Sequence, residues 1–281
     1  MNISFQGRVE SGVALYYTVK RILKPAWYRC DELLSYIVDT LRQANPKQKK
    51  LLIFGQGRTG SKLLVDLLCS TKHFTTGGSR ENGELLNPNK PEILYPIKFV
   101  RGKRKRSPRR HFVFHLKIYQ LTSDRKHPID PKFFLHELDR SSWSFLYLKR
   151  RNKVRQLLSG LVARKRNAWH KFDDRAEEFQ LEIDCDRFVQ GVKNLFRISE
   201  REREVLSEIE HFELVYEDCL ESPEMHQETI DRVLAQLDLE PRKVETRHRK
   251  VNAKALNEVI VNYDEFVERI EKEGWKKFLD D

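Results

Sequence analysis

Residues 51–64, LLIFGQGRTGSKLL, combine three glycines with an arginine, a serine and a lysine in a pattern that can hold an anion. Leu51, Leu52, Ile53 and Phe54 suit a strand covered on both faces, and Leu63, Leu64, Leu67 and Leu68 recur at helical spacing. Between them Gly55, Gly57 and Gly60 permit tight backbone geometry. Such a unit aims backbone N–H groups and a helix N-terminus at one point, where Arg58 adds fixed positive charge. Phosphate or sulfate is the expected ligand. The loop departs from the nucleoside-triphosphatase pattern G-x-x-x-x-G-K-[ST], in which the hydroxyl binds magnesium. Gly55 and Gly60 keep that spacing, but Ser61 and Lys62 follow in swapped order and put an amine where the hydroxyl belongs. A glycine turn that merely joins strand to helix is the plain alternative.

A second unit runs from Ser144 to His170, SFLYLKRRNKVRQLLSGLVARKRNAWH. A strand, Phe145 to Leu148, enters a basic turn with Lys149, Arg150 and Arg151. The helix after it aligns Val154, Leu157, Leu158, Leu161 and Val162, and Ser159 falls about two turns in. An arginine at a strand end with a serine on the next helix can hold a second phosphate. Alone the pair is weak, because both types are common on surfaces.

Together the two units resemble the sulfotransferases that use 3′-phosphoadenosine 5′-phosphosulfate (PAPS), and are closest to the bacterial carbohydrate group with the nodulation-factor and trehalose enzymes. GQGRTGSKLL resembles their 5′-phosphosulfate loop, and RRNKVRQLLSGLVARKRNAWH their 3′-phosphate motif, an Arg followed eight or nine residues later by Ser. Arg150 lies nine residues before Ser159 and Arg151 eight, so both registers fit. FELVYEDCLESP (212–223), HRKVNAKALNEVIVNYDEF (248–266) and FVFHLKIYQ (112–120) resemble the family's late strand, its basic Asn-Tyr tail and the strand carrying a Lys toward the site. The likeness spans about residues 50–270.

The resemblance implies in-line transfer of a sulfuryl group from PAPS to a hydroxyl, without metal, on a carbohydrate, glycolipid or other small acceptor. It puts Arg58 and the segment Gly57, Thr59, Gly60, Ser61 and Lys62 on the 5′-phosphosulfate, and Arg150 or Arg151 with Ser159 on the 3′-phosphate. Lys62 replaces the family's usual Ser or Thr. It also implies a carboxylate or histidine base after the first helix. In GGSRENGELLNPN (77–89) that base is read as Glu84, with Glu81 and then His115 as rivals and a solvated loop carboxylate as the bland reading.

The elements that must position these groups alternate. Strands at 50–54, 112–118, 144–148 and 212–216 intersperse with helices near 61–70, 131–138, 152–168, 186–209 and 224–237. This pattern predicts an α/β fold of three layers, α/β/α, with a central parallel sheet and the phosphate loop after the first core strand. Ligands in such sheets gather at the carboxyl ends of the strands. Residues 49–281 read as this sulfotransferase-like domain and 1–48 as a helical accessory region. There Asp31 is the expected N-cap of a helix whose apolar face, Leu33, Leu34, Ile37, Val38 and Leu41, packs on the domain. Residues 72–110 are long and weakly periodic, and the basic run at 101–110, RGKRKRSPRR, reads as a solvated loop between two strands.

Bulk properties bound the partners. The 281 residues are 39% hydrophobic and 34% charged with net charge +11, which suits a folded protein with an anionic partner. No aromatic residues interleave with the basic run as stacking platforms would, so nucleic acid is not expected. The longest nearly apolar run, Val13 to Val19, is too short to span a bilayer, and the N-terminus lacks the order of a secretory signal. Peripheral membrane contact stays open through the basic, aromatic piece 16–28. Cys30, Cys69, Cys185 and Cys219 are scattered, which argues against zinc and for a reducing, cytoplasmic setting. A nucleotide-dependent phosphotransferase and a nonenzymatic polyanion-binding module are the alternative readings.

Overall fold

The computed structural model describes residues 25–77, 83–165, 180–246 and 256–279. Their strands are β1 (Lys50–Phe54), β2 (Phe74–Thr75), β3 (His111–Leu116), β4 (Ser144–Lys149) and β5 (His211–Val215), all parallel, in the order β2-β3-β1-β4-β5. The helices are α1 (25–41), α2 (Ser61–Ser70), α3 (Pro96–Lys105), α4 (Pro131–Asp139) and α5 (Lys153–Lys165). They continue as α6 (Cys185–Leu206), α7 (Tyr216–Cys219), α8 (His226–Gln236), α9 (Leu256–Val259) and α10 (Tyr263–Lys272). Asp130 and Asp184 cap α4 and α6 through the backbone N–H groups of Lys132 and Arg187.

Strand periodicity divides the core. Leu52 lies opposite Phe114 and Phe145, and this face, with Phe112 and Tyr147, packs on Phe134 and Leu138 of α4 and Val205 of α6. The other face, with Leu51, Ile53, Val113 and Leu146, packs on Leu64 and Leu68 of α2 and Val233 of α8. Each fully buried Phe or Leu contributes about 1.5–3 kcal/mol relative to exposure. A third cluster joins α5 to α6, α9 and α10 through Val154, Phe188, Val192 and Phe266. The fold is three-layered α/β/α around a parallel sheet. From β1 the chain turns toward β2 at one edge, and from β4 toward β5 at the other. The neighbours β1 and β4 therefore open a crevice at their carboxyl ends, the switch point where open α/β sheets bind ligands.

Two expectations need correction. The basic run is not a solvated loop: residues 101–105 lie in α3, with Gly102, Lys103 and Arg104 buried. Asp31 is not an N-cap either. It sits inside α1 and faces α3, with its carboxylate 3.0 Å from Lys103 Nζ and 2.5 Å from Arg106 Nη1. Burial opposes ionisation of Asp31, but Arg106 and Lys103 hold its pKa below the usual value. Lys105 pairs with Asp39 at 2.7 Å. The helices approach so closely that a Cβ on Gly102 would lie 1.9 Å from the Ser35 carbonyl oxygen. Thus α1 docks by its acidic face. Leu33, Leu34, Ile37 and Leu41 are 44–79% exposed. The reason is charge: buried cations on α3 need anions, and a leucine face against them would leave them uncompensated. Among the described residues no helix is long and apolar enough to cross a membrane.

Candidate functional site

The loop after β1 is held from behind. Thr59 Oγ1 donates to the Gln56 carbonyl at 2.8 Å, and Gln156 Nε2 of α5 donates to the Gly57 carbonyl at 2.8 Å. Gln56 Nε2 donates to the Leu195 carbonyl at 3.0 Å and to Ser199 Oγ at 2.7 Å, tying the loop to α6. Gly60, the residue before α2, has φ 86°, and the Tyr216 ring packs where a Cβ would point. Only glycine meets both demands without strain. Ser61 and Lys62 then open α2, whose first turn holds no acidic residue. Its N-terminal dipole end stays available to an anion.

Arg58, in the left-handed region at φ 65°, reaches across the crevice. Its Nε and Nη2 donate to Ser159 Oγ of α5 at 3.0 and 2.8 Å. Arg150, just past β4, donates from Nη1 to the Arg58 carbonyl at 3.1 Å, and its guanidinium stacks 4.6 Å from the Tyr216 ring centre. Arg150 Nε is buried without a hydrogen bond among the described residues, and Glu217 Oε1 stands 3.7 Å off. Burial lowers the pKa of both arginines, and Arg150 lowers that of Arg58 further. Two close cations, a hydroxyl and an orphaned N–H fit an anion with several oxygens. Arg151 points away: its side chain is 59% exposed against 11% for Arg150, and it pairs with Asp218.

Glu84 lies on the other side of the loop, twelve residues before the start of α3 at Pro96. It extends the sheet by a parallel bridge to His115, and the His115 N–H donates to the Gly83 carbonyl at 2.8 Å. It is 6% exposed, so it is not a solvated loop carboxylate. Lys117 Nζ donates to Oε1, as does Gln120 Nε2 at 3.0 Å, while Asn87 Nδ2 donates to Oε2 at 3.1 Å. Lys62 Nζ is 3.6 Å from Oε2. Burial raises the pKa of Glu84, but Lys117, His115 and Lys62 outweigh it and bring the value down to about 2. At rest the group is a weak base. Asn87 and Gln120 also line a cavity of about 510 Å³, with Tyr28, Leu86, Asp124 and Arg125 on its wall.

Comparison with protein-family models, curated proteins and solved structures finds no match to this chain. The site is therefore read from its own geometry. Gly57, Arg58, Thr59, Gly60, Ser61, Lys62, Arg150 and Ser159 meet at the β1–β4 crevice, with Glu84 joined to them through Lys62. Glu81 lies outside the described residues, as do residues 248–255 of the tail segment. Sequence reasoning misses Gln120, Asn87, Tyr216 and the Gln56–Gln156 brace, since single amides and one tyrosine carry no spacing signal. Among the described residues no three His, Cys, Asp or Glu side chains gather as a metal site.

Beneath the loop, Glu202 receives a bond from Tyr147 Oη at 3.2 Å, and its Oε1 has no hydrogen-bond partner among the described residues. Burial raises its pKa to about 7 against the opposing pull of Gln56 and Tyr147. With the folded value above the unfolded 4.5, the native state holds the extra proton between these values, and stability falls as pH rises through that window. Glu202→Gln removes the ionisation. The variant is expected to gain about 3 kcal/mol on the parent between about pH 4 and about pH 8, measured by denaturant unfolding. Parallel pH curves for the two proteins would refute this.

Proposed function

We propose that the protein transfers a sulfuryl group from PAPS to a hydroxyl of a carbohydrate or other small acceptor. One observation carries the reading: Arg58 and Ser159, from separate strand–loop–helix units, meet at the switch point with Arg150 beside them. Two phosphate motifs about a hundred residues apart thereby form one polyanion seat. The swapped Ser61 and Lys62 support a donor held without a magnesium-binding hydroxyl at that position.

PAPS, when bound, supplies the sulfuryl group and departs as adenosine 3′,5′-bisphosphate. Arg58, Lys62 and the N-terminus of α2 hold its 5′ end, and Arg150 with Ser159 its 3′-phosphate. Catalysis then rests on positioning and on neutralising charge at the reacting centre. Glu84 takes the acceptor's hydroxyl proton as the acceptor oxygen bonds to sulfur and the sulfur–bisphosphate bond breaks. An anion at the loop competes for Lys62 and Lys117, which weakens their hold on Glu84 and raises its basicity. The base is thus switched on by the donor. The cavity walled by Asn87 and Gln120, both bonded to Glu84, is the acceptor's seat. The pairing of Lys103, Lys105 and Arg106 with acids of α1 speaks against a polyanion module built on the basic run.

Adenosine 3′,5′-bisphosphate is expected to stabilise the protein with no metal added. At a hundredfold excess over its dissociation constant, linkage gives about 2.7 kcal/mol. Thermal unfolding with the bisphosphate, ATP and GTP, each with and without magnesium, is the test. A shift with ATP and magnesium but none with the bisphosphate would favour the phosphotransferase reading instead.

A further inference from the structure

Helix α1 is amphipathic in the reverse of the usual sense. Its three acids, Asp31, Glu32 and Asp39, turn inward and are matched by Lys103, Arg106, Arg29 and Lys105. The opposite face carries Trp27, Leu33, Leu34, Ile37 and Leu41, between 44% and 79% exposed, and in the segment before α3 Leu94 and Tyr95 are 58% and 60% exposed. The N–H groups of Leu94 and Tyr95 donate to Glu32 and to Tyr36 Oη of α1. The acids of α1 are spent on α3 and on Arg29, while Arg42, directly after α1, and Lys98, whose ammonium lies 5.7 Å from the Tyr95 ring centre, are exposed cations.

From this we infer that α1 seats the protein on the surface of an anionic lipid bilayer, with the stripe among the acyl chains and Arg42 and Lys98 at the headgroups. Tryptophan and leucine on one face with bases at the margin is the composition of a helix that lies in a membrane interface. The positive flank selects anionic lipid, and the net charge of +11 has the same sign. A second copy of the chain fits less well. The stripe covers about two heptads, short of the three to four of a coiled-coil seam, and two-fold pairing would bring like-charged margins together. The same helix supplies Tyr28, Arg29 and Asp31 to the cavity beside Glu84, so docking and the proposed acceptor seat share one element.

The test uses the full chain with vesicles of phosphatidylcholine alone and with added phosphatidylserine, read by co-flotation. Binding should require or strongly favour phosphatidylserine. Ile37→Glu with Leu41→Glu changes only exposed positions, so the melting temperature should hold while vesicle partition falls by about tenfold or more. Arg42→Gln and Lys98→Gln should each cost about fivefold, confined to the phosphatidylserine vesicles. No partition by the parent, or partition unchanged by Ile37→Glu with Leu41→Glu, overturns the inference. So does a parent that sediments as a dimer without binding lipid and becomes monomeric in the double variant. A monomeric parent that ignores lipid, with a double variant of lowered melting temperature, assigns the stripe to the chain's own first residues and overturns it equally.

Discussion

Glu84→Gln is expected to lower turnover by about 10²–10⁴-fold while leaving affinity for adenosine 3′,5′-bisphosphate at least as high as in the parent. The substitution keeps size but cannot accept a proton, and its amide NH2 cannot accept the bonds that one of the two carboxylate oxygens receives. It also frees Lys62 and Lys117 from a carboxylate that competes with the donor for them. A residue with a purely structural role would weaken donor binding along with turnover. The variant carries a stability signature too. The folded pKa of about 2 lies below the usual 4.5, so the carboxylate stabilises the protein above pH 4.5 and this is lost as pH falls toward 2. The variant should therefore be less stable by about 3 kcal/mol near neutrality, a gap that closes in acid. Near-full turnover in Glu84→Gln, with loss in Glu81→Gln or His115→Asn, would move the base elsewhere. A screen of sugars, glycolipids and small alcohols with labelled PAPS must first supply a working acceptor.

Arg58→Ala is expected to weaken bisphosphate binding by roughly ten- to a hundredfold, the scale of a charge-assisted contact worth about 1.5–3 kcal/mol. The guanidinium reaches Ser159 across the crevice and lies in a glycine loop outside the hydrophobic core, so the fold should survive. Arg150→Ala should have a comparable effect and Arg151→Ala almost none, because Arg150 faces the crevice while Arg151 pairs with Asp218 at the surface. Ser159→Ala should raise the Michaelis constant for the donor. Titration calorimetry with the bisphosphate on the four variants is the measurement. Equal losses for Arg150→Ala and Arg151→Ala would show that the 3′-phosphate is misplaced.

The two candidate anion-binding units are legible in the amino-acid sequence because each is local. A run such as Leu51 to Phe54, glycines at Gly55, Gly57 and Gly60, and leucines at helical spacing encode strand, loop and helix within about fifteen residues. Their alternation along the chain is enough for a parallel sheet with the loop at its carboxyl edge. Ser159 falls on its helix for the same reason. Local pattern does not decide where those units point. Arg150 and Arg151 both suit the motif, yet successive residues leaving a strand face opposite ways, and only the packing of β4 between β1 and β5 selects Arg150.

Glu84 illustrates the same limit. Its proton affinity depends on Lys62 from α2, Lys117 from the end of β3 and Gln120 from the turn after it, and none is its neighbour in sequence. The charge field of a buried group is a sum over space, so it exists only once the chain has folded. Helix α1 shows the stronger failure. Hydrophobic periodicity locates its apolar stripe and assigns that stripe to the wrong side. The rule assumes an apolar interior, but the surface that α1 meets is the cationic face of α3, and buried Lys103 admits only a face that can neutralise it. Local pattern determined the elements and the faces that pack in the hydrophobic core, while tertiary contact between charges decided which face of α1 turned inward.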